Sequence, residues 1–147
     1  MTVSAKVRDG TDQDAAALAR LFAELGYAVA VGDVPARLAR FRDRSGGRVL
    51  VVEDQDAVVA FAAVEVRFPI QHATPLLYVS ALAVASSARR RGLGRRLLEA
   101  VETLGRAAGC GRAAVTSAER RADAHAFYLA AGWSYSGRRF GKELGAA

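Results

Sequence analysis

One stretch constrains this chain more than any other: an apolar segment from Leu76 to Val84, then a basic turn, Arg89-Arg90-Arg91-Gly92-Leu93-Gly94, then a helix. The apolar segment has the composition of a strand buried on both faces. From Leu93 the period changes, so that Leu97, Leu98, Val101 and Leu104 share one helical face while Arg95/Glu99 and Glu102/Arg106 form i,i+4 pairs on the other. A helix start presents amides without intrahelical acceptors and the positive end of the macrodipole, so a turn leading into it is a natural cradle for phosphate. Gly92 and Gly94 let an anion approach the backbone, and the Arg side chains offer charge-assisted hydrogen bonds. An ordinary exposed turn is the competing reading. Two familiar phosphate loops do not fit. No Gly-Lys-Ser/Thr follows the turn, and the dinucleotide fingerprint requires glycine where Leu97 stands.

The other elements follow from period and punctuation. After a short strand at Val3 to Arg8, Thr11-Asp12-Gln13-Asp14 has the form of a capping box, and Leu18, Leu21, Phe22 and Leu25 continue at helical spacing to Gly26. A second helix starts near Asp33 with Pro35 in its first turn and ends by Ser45-Gly46-Gly47. Arg48 to Glu53 and Val58 to Arg67 read as a hairpin turning through Asp54-Gln55-Asp56. Beyond the long helix come a strand at Ala113 to Thr116, a helix at Ala122 to Ala131 closed by Gly132, and an extended segment from Trp133 to Leu144. This order, β-α-α-β-β-β-α-β-α-β, predicts an α/β (α+β) domain around a mixed sheet of about six strands with four helices.

At 147 residues the chain has room for one domain, residues 1–147, and 52% hydrophobic residues suffice for a core. The N-terminus lacks the apolar block of a secretory signal, no apolar run reaches the length of a membrane span, and the single Cys110 forms no intrachain disulfide. A cytoplasmic location away from membranes is the expectation. The net charge of +6, with all but two of 21 basic residues being Arg, raises the question of an anionic partner such as nucleic acid. Against it, aromatics make up only 7% of the chain and none interleaves with the Arg89 to Arg96 cluster. Two His and one Cys give no metal-site spacing, and Gly109-Cys110-Gly111 reads as a helix-to-strand turn rather than a nucleophile.

A second constellation lies about 30 residues after the turn: Ala124-His125-Ala126-Phe127-Tyr128-Leu129-Ala130-Ala131-Gly132-Trp133. By itself it is a helix with Phe127 on the core and Tyr128 at its edge. Taken together, Arg-x-x-Gly-x-Gly at 89–94 after a strand ending in Val84, and Ala-x-x-Phe-Tyr-x-x-x-Gly-Trp at 124–133, resemble the two signature motifs of the GNAT superfamily of acyl-CoA-dependent N-acetyltransferases. The element order is similar to that fold as well, so the resemblance covers nearly the whole chain.

The resemblance implies a mostly antiparallel sheet whose central strand pair splays after a bulge in the strand before the turn, and acetyl-CoA as cosubstrate, without a metal. Leu82, Ala83 and Val84 then pair with the pantetheine arm, and the turn Arg89, Arg90, Arg91, Gly92, Leu93, Gly94 and Arg95 receives the pyrophosphate. A backbone N–H, that of Leu82, stabilises the developing oxyanion. Tyr128 matches the tyrosine that protonates the departing thiolate. Many members carry a strand carboxylate where this chain has Ser80-Ala81, so the base passes to Glu65 on the preceding strand, acting through water, unless Glu65 is simply an exposed strand residue. Arg121 stands where many members have an Asn contacting the pantetheine, and with His125 it fits a subgroup pattern, Arg-x-x-Ala-His-x-Phe-Tyr. His125 either touches the coenzyme or fills a packing position. The acceptor is a primary amine of a small molecule, with a peptide or protein amine as the lesser option, entering between the Tyr27 to Gly32 loop and Pro69 to Pro75 past Phe22, Tyr27 and His72. A homodimer is in keeping with the family. The missing strand carboxylate also admits a catalytically silent acyl-CoA binder.

Overall fold

The computed structural model describes residues 5–116, 122–137 and 139–145, which fall into two compact units, Met1–Val115 and Thr116–Ala147. The first unit is built on a five-stranded sheet in the order β1 (Lys6–Asp9), β2 (Arg48–Asp54), β3 (Ala57–Arg67), β4 (Leu76–Val84) and β5 (Arg112–Val115). Its first four strands are antiparallel neighbours and β5 runs parallel to β4. The sequence places each of these strands within a few residues of its observed bounds.

Helix α1 (Ala15–Glu24) begins behind a complete capping box: Thr11 accepts from Gln13 N–H at 3.3 Å, and Asp14 Oδ2 accepts the Thr11 N–H at 2.8 Å. Helix α2 (Val34–Ser45) carries Pro35 in its first turn, where its missing N–H removes no intrahelical bond. Leu18, Leu21, Val34 and Leu38 from these two helices pack with Val49, Val51, Phe61 and Ala83 from one sheet face. The intervening strand residues, among them Ala60, Ala62, Leu77 and Val79, are buried on the opposite face. There lies α3 (Leu93–Ala107), with Leu93, Leu97, Leu98 and Val101 buried and Gly105 so close to Leu77 that an added Cβ would stand 3.1 Å from its Cδ2. Between β2 and β3 the chain reverses through Gln55 and Asp56, both at positive φ (52° and 67°), as in a two-residue hairpin turn of the mirror-image type.

The second unit contains α4 (Ala122–Ala130). Among the described residues of 133–145 the sixth strand expected over Trp133 to Leu144 is not found: they carry no regular secondary structure, and Tyr135, Phe140 and Leu144 are exposed. An extended segment becomes a strand only through a hydrogen-bonding partner, which local composition does not specify.

Candidate active site

The site begins with an irregularity in β4. Opposite β3 the register is Val64↔Val79 and then Ala63↔Ala81, so Ser80 is an extra residue, a β-bulge, and its hydroxyl donates to the Ala63 carbonyl at 3.2 Å. The ladder between β4 and β5 reaches Val79↔Val115 and goes no further, so past the bulge the side of β4 that faced β5 has no strand partner among the described residues.

Hydrogen-bond parity shows which groups this open edge presents. Ala85 N–H donates to Val59 O at 2.7 Å, which makes residues 59 and 85 a hydrogen-bonded pair and, two residues on, Phe61 and Ala83 another. The amides and carbonyls of Leu82 and Val84 therefore point away from β3, to the open side. Ala83 does the reverse: its backbone groups are committed to Phe61 and its side chain is buried against α1 and α2. Of the three residues expected to meet the pantetheine arm, two turn backbone groups to the edge and Ala83 does not.

Beyond Val84 a single 3-10 turn, Ser86–Ala88, leads to the basic turn. Arg90 and Gly92 both have left-handed backbone, φ 66° and 75°, and Gly92 is the N-cap of α3 without any side-chain cap. The first bond inside the helix is donated by Arg96 N–H to Gly92 O at 3.1 Å, so the amides of Leu93 and Gly94 precede it and have no intrahelical acceptor. The glycine turn leading into a helix start is thus formed, with the geometry that an anion cradle would need.

The arginine side chains are arranged less simply. Arg89 donates through Nε to Val84 O at 3.2 Å and lies 3.5 Å from Glu24, Arg91 pairs with Asp54 at 2.6 Å, and Arg96 donates to Ala5 O at 2.9 Å. Arg89, Arg91 and Arg96 are thus engaged with protein groups although, like Arg90 and Arg95, they lie at the exposed surface.

Glu65 sits on β3 directly across from Tyr78, within the sheet and one residue pair before the bulge that follows Val64↔Val79. Its Oε1 accepts from Arg67 Nε at 2.6 Å, and the Arg67 guanidinium lies 3.7 Å from the centre of the Tyr78 ring. The candidate base is therefore half of an ion pair.

The three expected acceptor contacts are dispersed. Phe22 packs edge-to-face on Phe61, with ring centroids 5.1 Å apart, as part of the α1 core. Tyr27 is exposed just past α1, near the end of β4 where Glu24 accepts the Ser86 amide at 3.0 Å. His72 lies in the exposed loop leading to Leu76, at the opposite end of β4, a nine-residue strand that spans about 25 Å at the usual rise per residue. Cys110 is a half-buried free thiol whose pKa is raised by burial, which disfavours the thiolate. No group of three or more His, Cys, Asp or Glu among the described residues has the arrangement of a metal site.

In the second unit, α4 ends in a Schellman closure. Gly132 takes φ 90° and donates to Leu129 O at 3.1 Å, and Trp133 N–H donates to Tyr128 O at 2.9 Å. The Tyr128 and Trp133 rings lie 5.7 Å apart, and Phe127 meets Tyr128 at 5.2 Å. His125 is half-buried on the same helix. Arg121, the remaining coenzyme candidate, lies outside the described residues.

A mixed sheet whose parallel strand pair parts at a bulge, beside an amide-rich helix start, is an architecture for holding an extended anionic ligand along a strand edge. The sequence model described as the Acetyltransferase (GNAT) family matches residues 13–133, and the chain belongs to this family of acetyltransferases. No curated protein matches the sequence. Among solved structures, the aminoglycoside N-acetyltransferase AAC(6')-Iy in complex with CoA superposes with a TM-score of 0.84 at 15% identity, over 99% of this chain and 98% of that one. A GNAT family acetyltransferase of Staphylococcus aureus gives 0.81 at 19% identity, over 96% and 99%. Glucosamine-6-phosphate N-acetyltransferase of Arabidopsis thaliana gives 0.81 at 17%, also over 96% and 99%. Identities this low establish a shared fold, and no more than that. Among the described residues no helix is long and apolar enough to cross a membrane.

Proposed function

We propose that this chain is a single-domain N-acetyltransferase that passes the acetyl group of acetyl-CoA directly to a primary amine of a small molecule. The observation that carries the reading is the open edge of β4, with Leu82 and Val84 turning backbone groups outward just before the amides of α3. The match of the family to residues 13–133, which span both compact units, supports one domain. CoA bound to the aminoglycoside N-acetyltransferase of the same fold supports the cosubstrate.

In this reading the α3 amides and exposed Arg90 and Arg95 hold the pyrophosphate, and Leu82 and Val84 hold the pantetheine arm. Acetyl-CoA supplies a thioester. The Leu82 N–H donates to its carbonyl oxygen as negative charge develops there during attack by the amine. An alkyl amine, with a pKa of about 10, is mostly protonated at neutral pH and must lose that proton before it attacks. Glu65 takes it through water once its hold on Arg67 loosens. Tyr128 donates its phenolic proton to the departing thiolate, a role that rests on the motif resemblance and on the closure that fixes its helix end.

The Glu65–Arg67 pair, together with the absent carboxylate at Ser80-Ala81, favours one second reading: a protein that binds acyl-CoA without turning over an amine. Nucleic-acid binding loses force because Arg89, Arg91 and Arg96 are engaged with protein groups.

Thermal unfolding with and without acetyl-CoA tests the reading. A ligand at 100 times its dissociation constant stabilises the native state by about 2.7 kcal/mol, a readily measured shift. A rise in Tm with acetyl-CoA and none with ATP or NAD supports it, and thiol release across a panel of amines then separates enzyme from silent binder. No shift at millimolar coenzyme refutes it.

A further inference from the structure

Two carboxylates without an expected role reach the basic turn from opposite sides. Asp54, the last residue of β2, is only 7% exposed and accepts from Arg91 Nη2 at 2.6 Å. Glu24, the last residue of α1, accepts the Ser86 amide at 3.0 Å and lies 3.5 Å from Arg89 Nη2. A carboxylate buried as Asp54 is must be paired, so it and Arg91 hold each other in one arrangement. Arg91 stands between Arg90 and Gly92, and the left-handed backbone of Arg90, unlike that of the glycine, persists only where its surroundings over-determine it. The segment from Ser86 to Gly92 is thereby tied to α1 at one end and to the β2–β3 hairpin at the other.

We propose that Asp54 and Glu24 are positioning residues that clamp this turn, so that the α3 amides are aimed at the coenzyme pyrophosphate before it arrives. The side chains of Arg91 and Arg89 serve the clamp, not the phosphate. This inference rests on the coenzyme-binding reading above and deepens it. Preorganisation is the physical gain: a turn already ordered has less freedom to lose on binding, and an anion cradle displaced by an ångström loses much of its affinity.

The experiment pairs CoA titration calorimetry with hydrogen–deuterium exchange of the ligand-free protein, using wild type, Asp54→Asn, Arg91→Met and the double variant. Asp54→Asn is isosteric, and its Tm reports whether it folds. Each single variant is expected to weaken CoA binding about tenfold. The double variant is expected to be no weaker than the worse single, because both remove one contact. Exchange across residues 86–95 is expected to quicken in each. Glu24→Gln, which keeps an acceptor oxygen for Ser86 and drops the charge beside Arg89, reads the other arm of the clamp and is expected to show the same loss in milder form. Multiplying losses in the double variant overturn the proposal, since Arg91 then acts on the ligand independently of Asp54. Unchanged exchange in Asp54→Asn overturns the clamp whatever the coenzyme does. Wild-type protein that binds no CoA overturns the acetyltransferase reading, and with it the clamp's purpose, even where exchange responds.

Discussion

The backbone N–H of Trp133 donates to the carbonyl of Tyr128 at 2.9 Å, and the two rings lie 5.7 Å apart. This is the long bond of a helix closure together with the apolar contact that accompanies it, with left-handed Gly132 between. The spacing Tyr-x-x-x-Gly-Trp is therefore a structural device: it fixes the end of α4 on which Tyr128 is carried. Tyr128→Phe keeps the ring contact and removes only the hydroxyl. Turnover is expected to fall about a hundredfold or more, the usual contribution of a general acid, with CoA affinity unchanged. Unaltered kcat removes Tyr128 from the chemistry.

Much of this was legible in the sequence, and the exceptions share a cause. The capping box at Thr11–Asp14, Pro35 in α2, the bounds of β4 and the glycine start of α3 are local signals, each decided by a few neighbouring residues. A bulge in this strand is implied by the family resemblance, but its place at Ser80 is not legible locally, because Val79-Ser80-Ala81-Leu82-Ala83 belongs to a strand apolar on both faces and no break in alternation marks it. The pairings of Arg91 with Asp54 and Arg67 with Glu65 depend on which strands are neighbours. The same holds for Phe22, which a helical period alone cannot assign to Phe61.

Gly92 and Arg90 give opposite expectations from one backbone conformation. An added Cβ at Gly92 meets nothing within 4 Å, so Gly92→Ala loses stability through its φ of 75° and not through a clash. A loss of about 1 kcal/mol in urea unfolding is expected, with weaker CoA binding. Arg90→Gly relieves the same strain at φ 66° and is expected to gain up to about 1 kcal/mol. A neutral Gly92→Ala shows that α3 starts equally well from another conformation, and the fixed cradle is then lost.

The Arg8–Asp14 pair sets an acid limit on stability. Arg8 forks onto both Asp14 oxygens at 2.9 Å, and the carboxyl is held below its ordinary pKa chiefly by these hydrogen bonds, with burial opposing. A depressed folded-state pKa means the unfolded chain takes up the proton first as pH falls. Its contribution is full above the ordinary carboxylate value of about 4 and is lost as pH drops toward the lower folded value. Asp14→Asn is expected to be less stable than wild type at neutral pH and to flatten the slope of stability against pH below about 4. Urea unfolding at a series of acidic pH values checks this, and parallel curves for the two proteins contradict it.

Deleting Ser80 separates the bulge from everything else it touches. Val64↔Val79 and Ala63↔Ala81 are already the pairs on either side of it, so removing Ser80 makes them consecutive and leaves each flanking side chain on its present face. Val79 stays with α3, and Ala81 and Ala83 stay with α1 and α2. The deletion therefore spares the core packing, whereas a one-residue slip in an ordinary strand would turn the core residues outward. What it removes is the bend that carries β4 away from β5 at Val79↔Val115. The shortened protein is expected to fold cooperatively, with stability within about 2 kcal/mol of wild type, and to lose most of its CoA binding. Unfolding curves and coenzyme titration on the same preparation decide it. A deletion variant that folds and binds CoA as wild type does shows that the parting of the two strands does not depend on the bulge, and the open edge must then be explained by β5.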